Sequence, residues 1–193
     1  MKKLFVKSLK YIVSICLIIF YFLILFKSIN INVPLEYKMY YVQKELTEWP
    51  GVNGLDYSLN DTIMFGEKYK DNLAKGIGTG WNDIEEDGRW TQDNAKLYLR
   101  LKEKVNEDKT LKLVLGHINP NTNVHILVNN KQIDSFRTIE GRNEYEFKVP
   151  KDTFNDELLC LNFKIENCKE INDTNNSNKS ILAGIFVESI SLS

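Results

Sequence analysis

The most hydrophobic part of the chain is an apolar run over residues 11–26, interrupted only by Ser14 and Cys16. With its flanking residues, this run predicts a helix long enough to cross a membrane. Four lysines precede the run and one follows it at once, so the positive-inside rule predicts a cytoplasmic N-terminus. A poor match to cleavage signals favours an uncleaved anchor over a signal peptide or lipoprotein signal. We therefore expect residues 1–29 to be a cytoplasmic tail and single-pass anchor in the cell membrane, followed by an extracytoplasmic region.

A second pattern begins after this anchor, where apolar residues recur at spacings of three and four. These positions are Leu35, Met39, Val42, Leu46 and Trp49. The spacing predicts a short amphipathic helix within a stem of residues 30–53, ended by the Pro-Gly pair at 50–51. We expect its apolar face to pack on the following domain or to form a stalk outside the bilayer.

From residue 54 onwards, apolar residues alternate with polar ones. Alternation of this kind is typical of half-buried strands, and it occurs over residues 95–101, 111–115, 124–128, 145–149, 159–165 and 184–192. No amphipathic helical pattern lies between these runs, so we expect residues 54–193 to form an all-β domain. The predicted fold is an antiparallel, jelly-roll-like β-sandwich. Asn129-Asn130 predicts a hairpin turn, and the polar residues 172–179 predict an exposed loop.

Charge is distributed unevenly along the chain. Residues 1–27 contain five lysines and no acidic residue, whereas the whole chain has 25 basic and 26 acidic residues. Residues 28–193 therefore carry a net charge of −6. A domain this acidic lacks the basic surface with which proteins bind nucleic acid, so we expect no nucleic-acid partner.

The most distinctive segment spans residues 76–91, where a glycine-rich stretch precedes tryptophans and charged residues. Nucleotide-binding loops lead from a strand into a helix and usually carry a lysine or a third spaced glycine. This segment does neither, so we expect no nucleotide, and the sequence indicates no other cofactor. Asp83, Glu85 and Asp87 resemble the start of a calcium loop, although Asn94 replaces its final glutamate. Calcium binding by these carboxylates remains an alternative.

The same segment has the residue types of a sugar-binding site. Trp81 and Trp90 could stack on the apolar face of a pyranose, while Glu85 and Arg89 bind its hydroxyl groups. These four residues are therefore the candidate glycan-binding site. The competing interpretation is structural, with both indoles as core anchors and Glu85 paired with Arg89 in an ion pair that fixes the loop.

Several motifs in the chain also carry a resemblance to a known family. The motifs are "DTIMFG", "GTGWNDIEEDGRWT" and "AKLYLRL" between residues 61 and 101, together with "NDELLCLNFKIENC" and "SILAGIFVESISLS" near the C-terminus. They resemble the extracytoplasmic C-terminal β-sandwich domain of bacterial membrane phosphoglycerol and glycosyl transferases. Trp81, Glu85, Gly88 and Trp90 stand at the matching positions, whereas Asn178 and Lys179 replace an acidic and a basic residue of that family. The resemblance implies a cell-envelope glycan setting, with any transferase on another chain.

The sequence offers little catalytic apparatus. It has no Gly-x-Ser-x-Gly elbow, and no cysteine lies near a histidine in the sequence. His117 and His125 flank a short loop. If this loop joins two paired strands, the two imidazole rings point to opposite faces of the sheet. A register shift of one residue would instead place the rings opposite each other, where they could bind a metal. Cys160 and Cys168 are separated by too much extended chain for a disulfide unless the chain folds back.

Two functions follow from these observations. The favoured one is a non-catalytic binding or accessory module that contacts an envelope glycan, a polysaccharide or a teichoic-acid-type polymer, or a membrane glycosyltransferase. The alternative is a hydrolase or transferase acting on such a glycan through a carboxylate site around Glu85. An enzyme requires a concave site with a suitably placed acid or base, whereas a sandwich lectin presents a shallow aromatic face.

Overall fold

The computed structural model describes residues 2–29, 37–42, 44, 54–116, 121–154, 158–172 and 180–193. The chain forms two compact units, divided between Pro34 and Leu35. The first unit contains helix α1 (Lys2–Ile29), which confirms the predicted helix. Among the described residues, no helix combines the length and the apolar character needed to cross a membrane. The membrane anchor therefore stays a prediction.

The second unit consists mainly of β-strands. Its strands are β1 (Leu55–Tyr57), β2 (Thr62–Met64), β3 (Trp81–Ile84), β4 (Arg89–Thr91), β5 (Asn94–Leu101), β6 (Lys109–Leu115), β7 (Asn123–Val128), β8 (Lys131–Arg137), β9 (Asn143–Val149), β10 (Leu158–Ile165), β11 (Lys169–Asn172), β12 (Ser180–Ala183) and β13 (Phe186–Leu192). Within the described residues, its helical elements are a π-helix (Lys38–Val42), two 3₁₀ helices (Glu67–Tyr69 and Lys151–Thr153) and the short helix α2 (Lys70–Leu73).

Most of these strands form two sheets. One has the order β1-β5-β10-β7-β8, and the other has the order β3-β4-β13-β6-β9, with β2 paired to β13 on the same side as β4. The pairings within the sheets are antiparallel except for the parallel pair β1 and β5. Strands β11 and β12 form a separate hairpin.

Alternation along the strands explains why the two sheets pack together. In β5, Leu97 and Leu99 are buried while Lys96 and Arg100 are partly exposed, because successive side chains point to opposite faces. The inward-facing residues of both sheets belong to one hydrophobic core. Burying these apolar faces against each other is the main favourable contribution to folding. The predicted antiparallel β-sandwich is thereby confirmed, while its jelly-roll topology stays a prediction.

The turn prediction and the histidine prediction had different outcomes. Asn129 and Asn130 both have positive φ, +49° and +66°, and connect β7 to β8 as predicted. The condition that β6 and β7 pair is not met, because β6 lies in the six-stranded sheet and β7 in the five-stranded sheet. His125 therefore lies opposite Ser135 of β8. His117 lies outside the described residues.

The described part of the stem departs from the predicted amphipathic helix. Lys38–Val42 is a π-helix, and its Tyr40 packs on Tyr98 of the five-stranded sheet. Val42, which belongs to the predicted apolar face, is 69% exposed and does not pack on the domain. A π-helix closes its hydrogen bonds over five residues, so residues three apart no longer share a face as they do in an α-helix. The other predicted stem positions lie outside the described residues or have no described side chain.

Two features near the C-terminus are the polar loop predicted at residues 172–179 and the two cysteines at 160 and 168. Residues 173–179 of the predicted loop lie outside the described residues, but Asn172 and Ser180 on either side pair in the β11–β12 hairpin. Cys160 and Cys168 form no disulfide with each other.

Candidate functional site

Trp81, at the start of β3, is a core residue. It is 8% exposed, its ring stacks on Phe65 at a centroid distance of 4.9 Å, and it meets Phe163 edge-on at 6.4 Å. Its Nε1 donates a hydrogen bond to the backbone oxygen of Lys96 at 2.7 Å, so the polar atom of the indole is satisfied. The interpretation of Trp81 as a sugar-stacking surface is therefore wrong, and this indole anchors the core.

Trp90 lies on the other face of the same sheet. Trp81 is the cross-strand partner of Thr91, which is fully buried, and neighbouring residues in a strand face opposite ways. Trp90 is accordingly half-buried on the outer face, where its ring meets that of Phe186 at 5.2 Å. The two indoles therefore cannot form one recognition surface, although Trp90 reaches solvent.

Arg89 lies on the inner face, at the edge of the six-stranded sheet. It pairs with Val187, which is buried in the core, and with Ile84 of β3. Its Nε donates a hydrogen bond to the backbone oxygen of Asn82. Within the described residues, Arg89 makes no ion pair with Glu85, so the predicted loop-fixing pair is wrong, and neither Nη group has a hydrogen-bond partner.

Burial removes part of the solvation of this guanidinium. Loss of solvation lowers the pKa of Arg89 from its ordinary value, and the negative charge of Asp83 offsets part of that shift. Guanidinium groups remain protonated in proteins, so Arg89 keeps its charge at neutral pH. A half-buried cation with unused donors is costly unless a solvent molecule or ligand supplies acceptors.

Arg89 borders a cavity of about 320 Å³ at the edge of the sandwich, which we call the rim cavity. Its apolar residues are Ala74, Ile77 and Ile84, and its charged residues are Lys70, Asp71, Asp83 and Arg89. The residues come from α2, from the chain that follows it, and from the β3–β4 hairpin. A hydrogen bond of 2.8 Å from the backbone N–H of Glu67 to the oxygen of Glu85 connects the helical segment 67–73 to that hairpin.

Glu85 contributes to the β3–β4 turn and does not line the rim cavity. Its backbone N–H bonds to the oxygen of Gly88 at 2.9 Å, which closes the β3–β4 turn, and its side chain does not line the rim cavity. No group of three or more His, Cys, Asp or Glu side chains in the described part of the chain could hold a metal ion. Asp83, Glu85 and Asp87 are thus not gathered as a calcium site would require.

The sequence located part of this site. Of the four residues proposed from the sequence, Arg89 lines the rim cavity, while Asp83 was noted there as a calcium candidate. Lys70 and Asp71 were missed because α2 is a single turn and shows no periodic pattern. The glycine-rich stretch also has a structural explanation, since it runs along β5 and bonds to it through Gly76, Gly78 and Thr79.

No protein-family model matches the chain, and neither does any curated protein. The predicted resemblance to the transferase C-terminal domain therefore stays a prediction. Several solved structures match. A family 35 carbohydrate-binding module from Clostridium thermocellum is 8% identical, over 68% of this chain and 97% of that one, with a TM-score of 0.43. A family 35 module from an environmental isolate is 13% identical, over 76% and 90%, with a TM-score of 0.40.

A third similar structure is a family 36 carbohydrate-binding module in complex with calcium and xylotriose. It is 12% identical, covers 69% of this chain and 99% of the module, and has a TM-score of 0.39. At these identities and TM-scores, the similarities carry no conclusion about a ligand of the present chain.

Proposed function

We propose that residues 54–193 form a glycan-binding domain and that the rim cavity is its binding site. The observation that carries this proposal is the half-buried Arg89 guanidinium, whose Nη groups have no partner within the described residues, at the border of a cavity of about 320 Å³. A ligand with several acceptor atoms would complete the hydrogen bonding of this cation.

The lining of the rim cavity favours a sugar over other small ligands. Lys70 and Arg89 offer donors, and Asp71 and Asp83 offer acceptors, so the site suits a ligand whose groups do both. Ile77 and Ile84 add apolar surface beside these charges. A pyranose has this combination, with hydroxyl groups around its edge and apolar C–H groups on its faces.

We further propose that the domain is an accessory module at the cell envelope, held at the membrane by residues 1–29. The lysine asymmetry around residues 11–26 and the resemblance to an extracytoplasmic transferase domain support this setting. The glycan would then be an envelope polysaccharide or a teichoic-acid-type polymer, and a membrane glycosyltransferase could be a partner.

Replacing Arg89 by alanine should abolish most glycan binding. Hydrogen bonds to a charged group contribute about 1.5–3 kcal/mol, so the Kd should rise about tenfold to a hundredfold. The measurement is isothermal titration of the full chain in detergent micelles with chito-, cello-, malto- and xylo-oligosaccharides and poly(glycerol phosphate).

Arg137→Ala is the matched control for this experiment. Arg137 is an exposed arginine on β8 and does not line the rim cavity. Its loss should leave the Kd unchanged, and the melting temperature of each variant shows whether the domain remains folded. Equal loss of binding in both variants, or no binding of any of these glycans by the natural chain, would contradict the proposed site.

The membrane setting leads to a separate prediction. A reporter enzyme that is active only outside the cytoplasm should be active when fused after Ser193, and inactive when fused before Met1. Protease added to intact protoplasts should digest the C-terminal domain. A C-terminus protected from the protease would refute the extracytoplasmic location and leave the glycan-binding proposal to be tested on its own.

A further inference from the structure

A second cavity lies close to the rim cavity, on the other side of the helical segment 67–73. Its volume is about 210 Å³, and we call it the second cavity. Leu73 and Ile63 contribute buried apolar surface, while Asp56, Asp61 and Asn72 are exposed polar residues at its border. Tyr69 also lines it, and 39% of this residue is exposed.

The periodicity of the helical segment explains why its residues line two different cavities. Residues of an α-helix advance by about 100° each, so Lys70, Asp71 and Ala74 share one side. Asn72 and Leu73 lie on the opposite side, and Tyr69, at the end of the preceding 3₁₀ helix, lines the same cavity as they do. The first group lines the rim cavity and the second group lines the second cavity.

The geometry points to a single oligosaccharide-binding site with two subsites, one in each cavity, and we propose this as the arrangement. The inference rests on the proposed glycan binding by the rim cavity. A helix with its side chains is about 10–12 Å across, so the two cavities are separated by roughly that distance. This exceeds the size of one sugar ring, and the ligand is therefore an oligosaccharide that passes over residues 69–72.

The second cavity has polar and aromatic groups that could bind a second sugar unit. Tyr57 also lines it, but its hydroxyl is engaged within the protein, accepting from the backbone N–H of Leu192 at 2.7 Å and donating to the backbone oxygen of Asp61 at 2.6 Å. The carboxylates of Asp56 and Asp61 and the amide of Asn72 remain as polar groups for sugar hydroxyls. Tyr69 provides an aromatic ring and a hydroxyl, as ligand sites commonly do.

The test compares chain lengths of the chito-, cello-, malto- and xylo-oligosaccharide series, each from the monosaccharide to the pentasaccharide. With the full chain in detergent micelles, the pentasaccharide of the bound series should bind at least about tenfold more tightly than the monosaccharide, because the second subsite is filled intramolecularly. Tyr69→Ala should remove this gain and leave monosaccharide binding unchanged. Asn72→Trp, which fills the second cavity instead of emptying it, should have the same effect.

The controls separate this inference from the proposed function. Tyr41→Ala removes a similarly exposed tyrosine of the stem, 51% exposed, and should leave binding of both ligands unchanged. Arg89→Ala should weaken binding of the monosaccharide and the pentasaccharide alike. Equal affinities for the monosaccharide and the pentasaccharide, unaffected by Tyr69→Ala and Asn72→Trp, would refute the second subsite. They would not contradict glycan binding by the rim cavity. Failure of every series to bind would refute the two-subsite arrangement, and failure of poly(glycerol phosphate) to bind as well would also refute the proposed function.

Discussion

Replacing Trp81 by alanine should lower the free energy of unfolding by about 3–5 kcal/mol, the range for removing a buried tryptophan. The indole packs between Phe65 and Phe163, so truncation leaves a cavity between the two sheets. It also removes the hydrogen bond from the indole Nε1 to the backbone oxygen of Lys96, which then keeps only the hydrogen bond from the Gly78 N–H at 2.9 Å. Urea denaturation of the full chain in detergent micelles, followed by tryptophan fluorescence and circular dichroism, measures the loss.

Two further variants make this prediction specific to burial. Trp81→Phe keeps the aromatic packing and loses the hydrogen bond, so its cost should be smaller than that of Trp81→Ala. Trp90→Ala removes an indole that is only half-buried and meets Phe186 on the outer face, so it should also cost less. An equal loss for Trp81→Ala and Trp90→Ala would contradict the assignment of Trp81 alone to the core.

The sequence predicted the long strands well because each has one buried face. Strands β5 and β10 alternate over eight residues, enough to distinguish a period of two from a helical period. The strands β1 to β4 have three or four residues each, so no period can be seen in them. Whether β6 pairs with β7 was undetermined for another reason, since a short loop can connect strands of one sheet or cross to the opposite sheet.

The candidate site was only partly predictable, for two physical reasons. Trp81, Arg89 and Trp90 are close in the sequence, but strand alternation and pairing decide which face each occupies. The pairing Trp81 with Thr91 places Trp81 inside and Trp90 outside, and no local pattern contains that information. Lys70 and Asp71 join Arg89 through a tertiary contact, the hydrogen bond between Glu67 and Glu85, which is invisible before the fold is known.

Replacing Gly80 by alanine should destabilise the domain by more than about 3 kcal/mol. Gly80 has a φ of +84°, where a Cβ atom costs about 1–2 kcal/mol on its own. An added Cβ would also lie 1.9 Å from the backbone oxygen of Asn94, so the backbone of β3 or β5 must shift, as in an overpacked core. The shift would disturb the hydrogen bond from the Gln92 N–H to the Gly80 oxygen, which supports the hairpin that carries Arg89. Urea denaturation measures the loss of stability.

Gly141→Ala provides the matched control, because Gly141 also has a positive φ, +92°, but an added Cβ would meet nothing within 4 Å. This variant should therefore show the conformational cost alone, about 1–2 kcal/mol. The difference between the two variants isolates the steric contact of the glycine-rich stretch with β5. Gly80 supports the hairpin that carries Arg89, whereas Gly141 does not line the rim cavity, so Gly80→Ala should also weaken glycan binding and Gly141→Ala should not. Equal destabilisation by both variants would show that the close approach of Gly80 to Asn94 does not govern this hairpin.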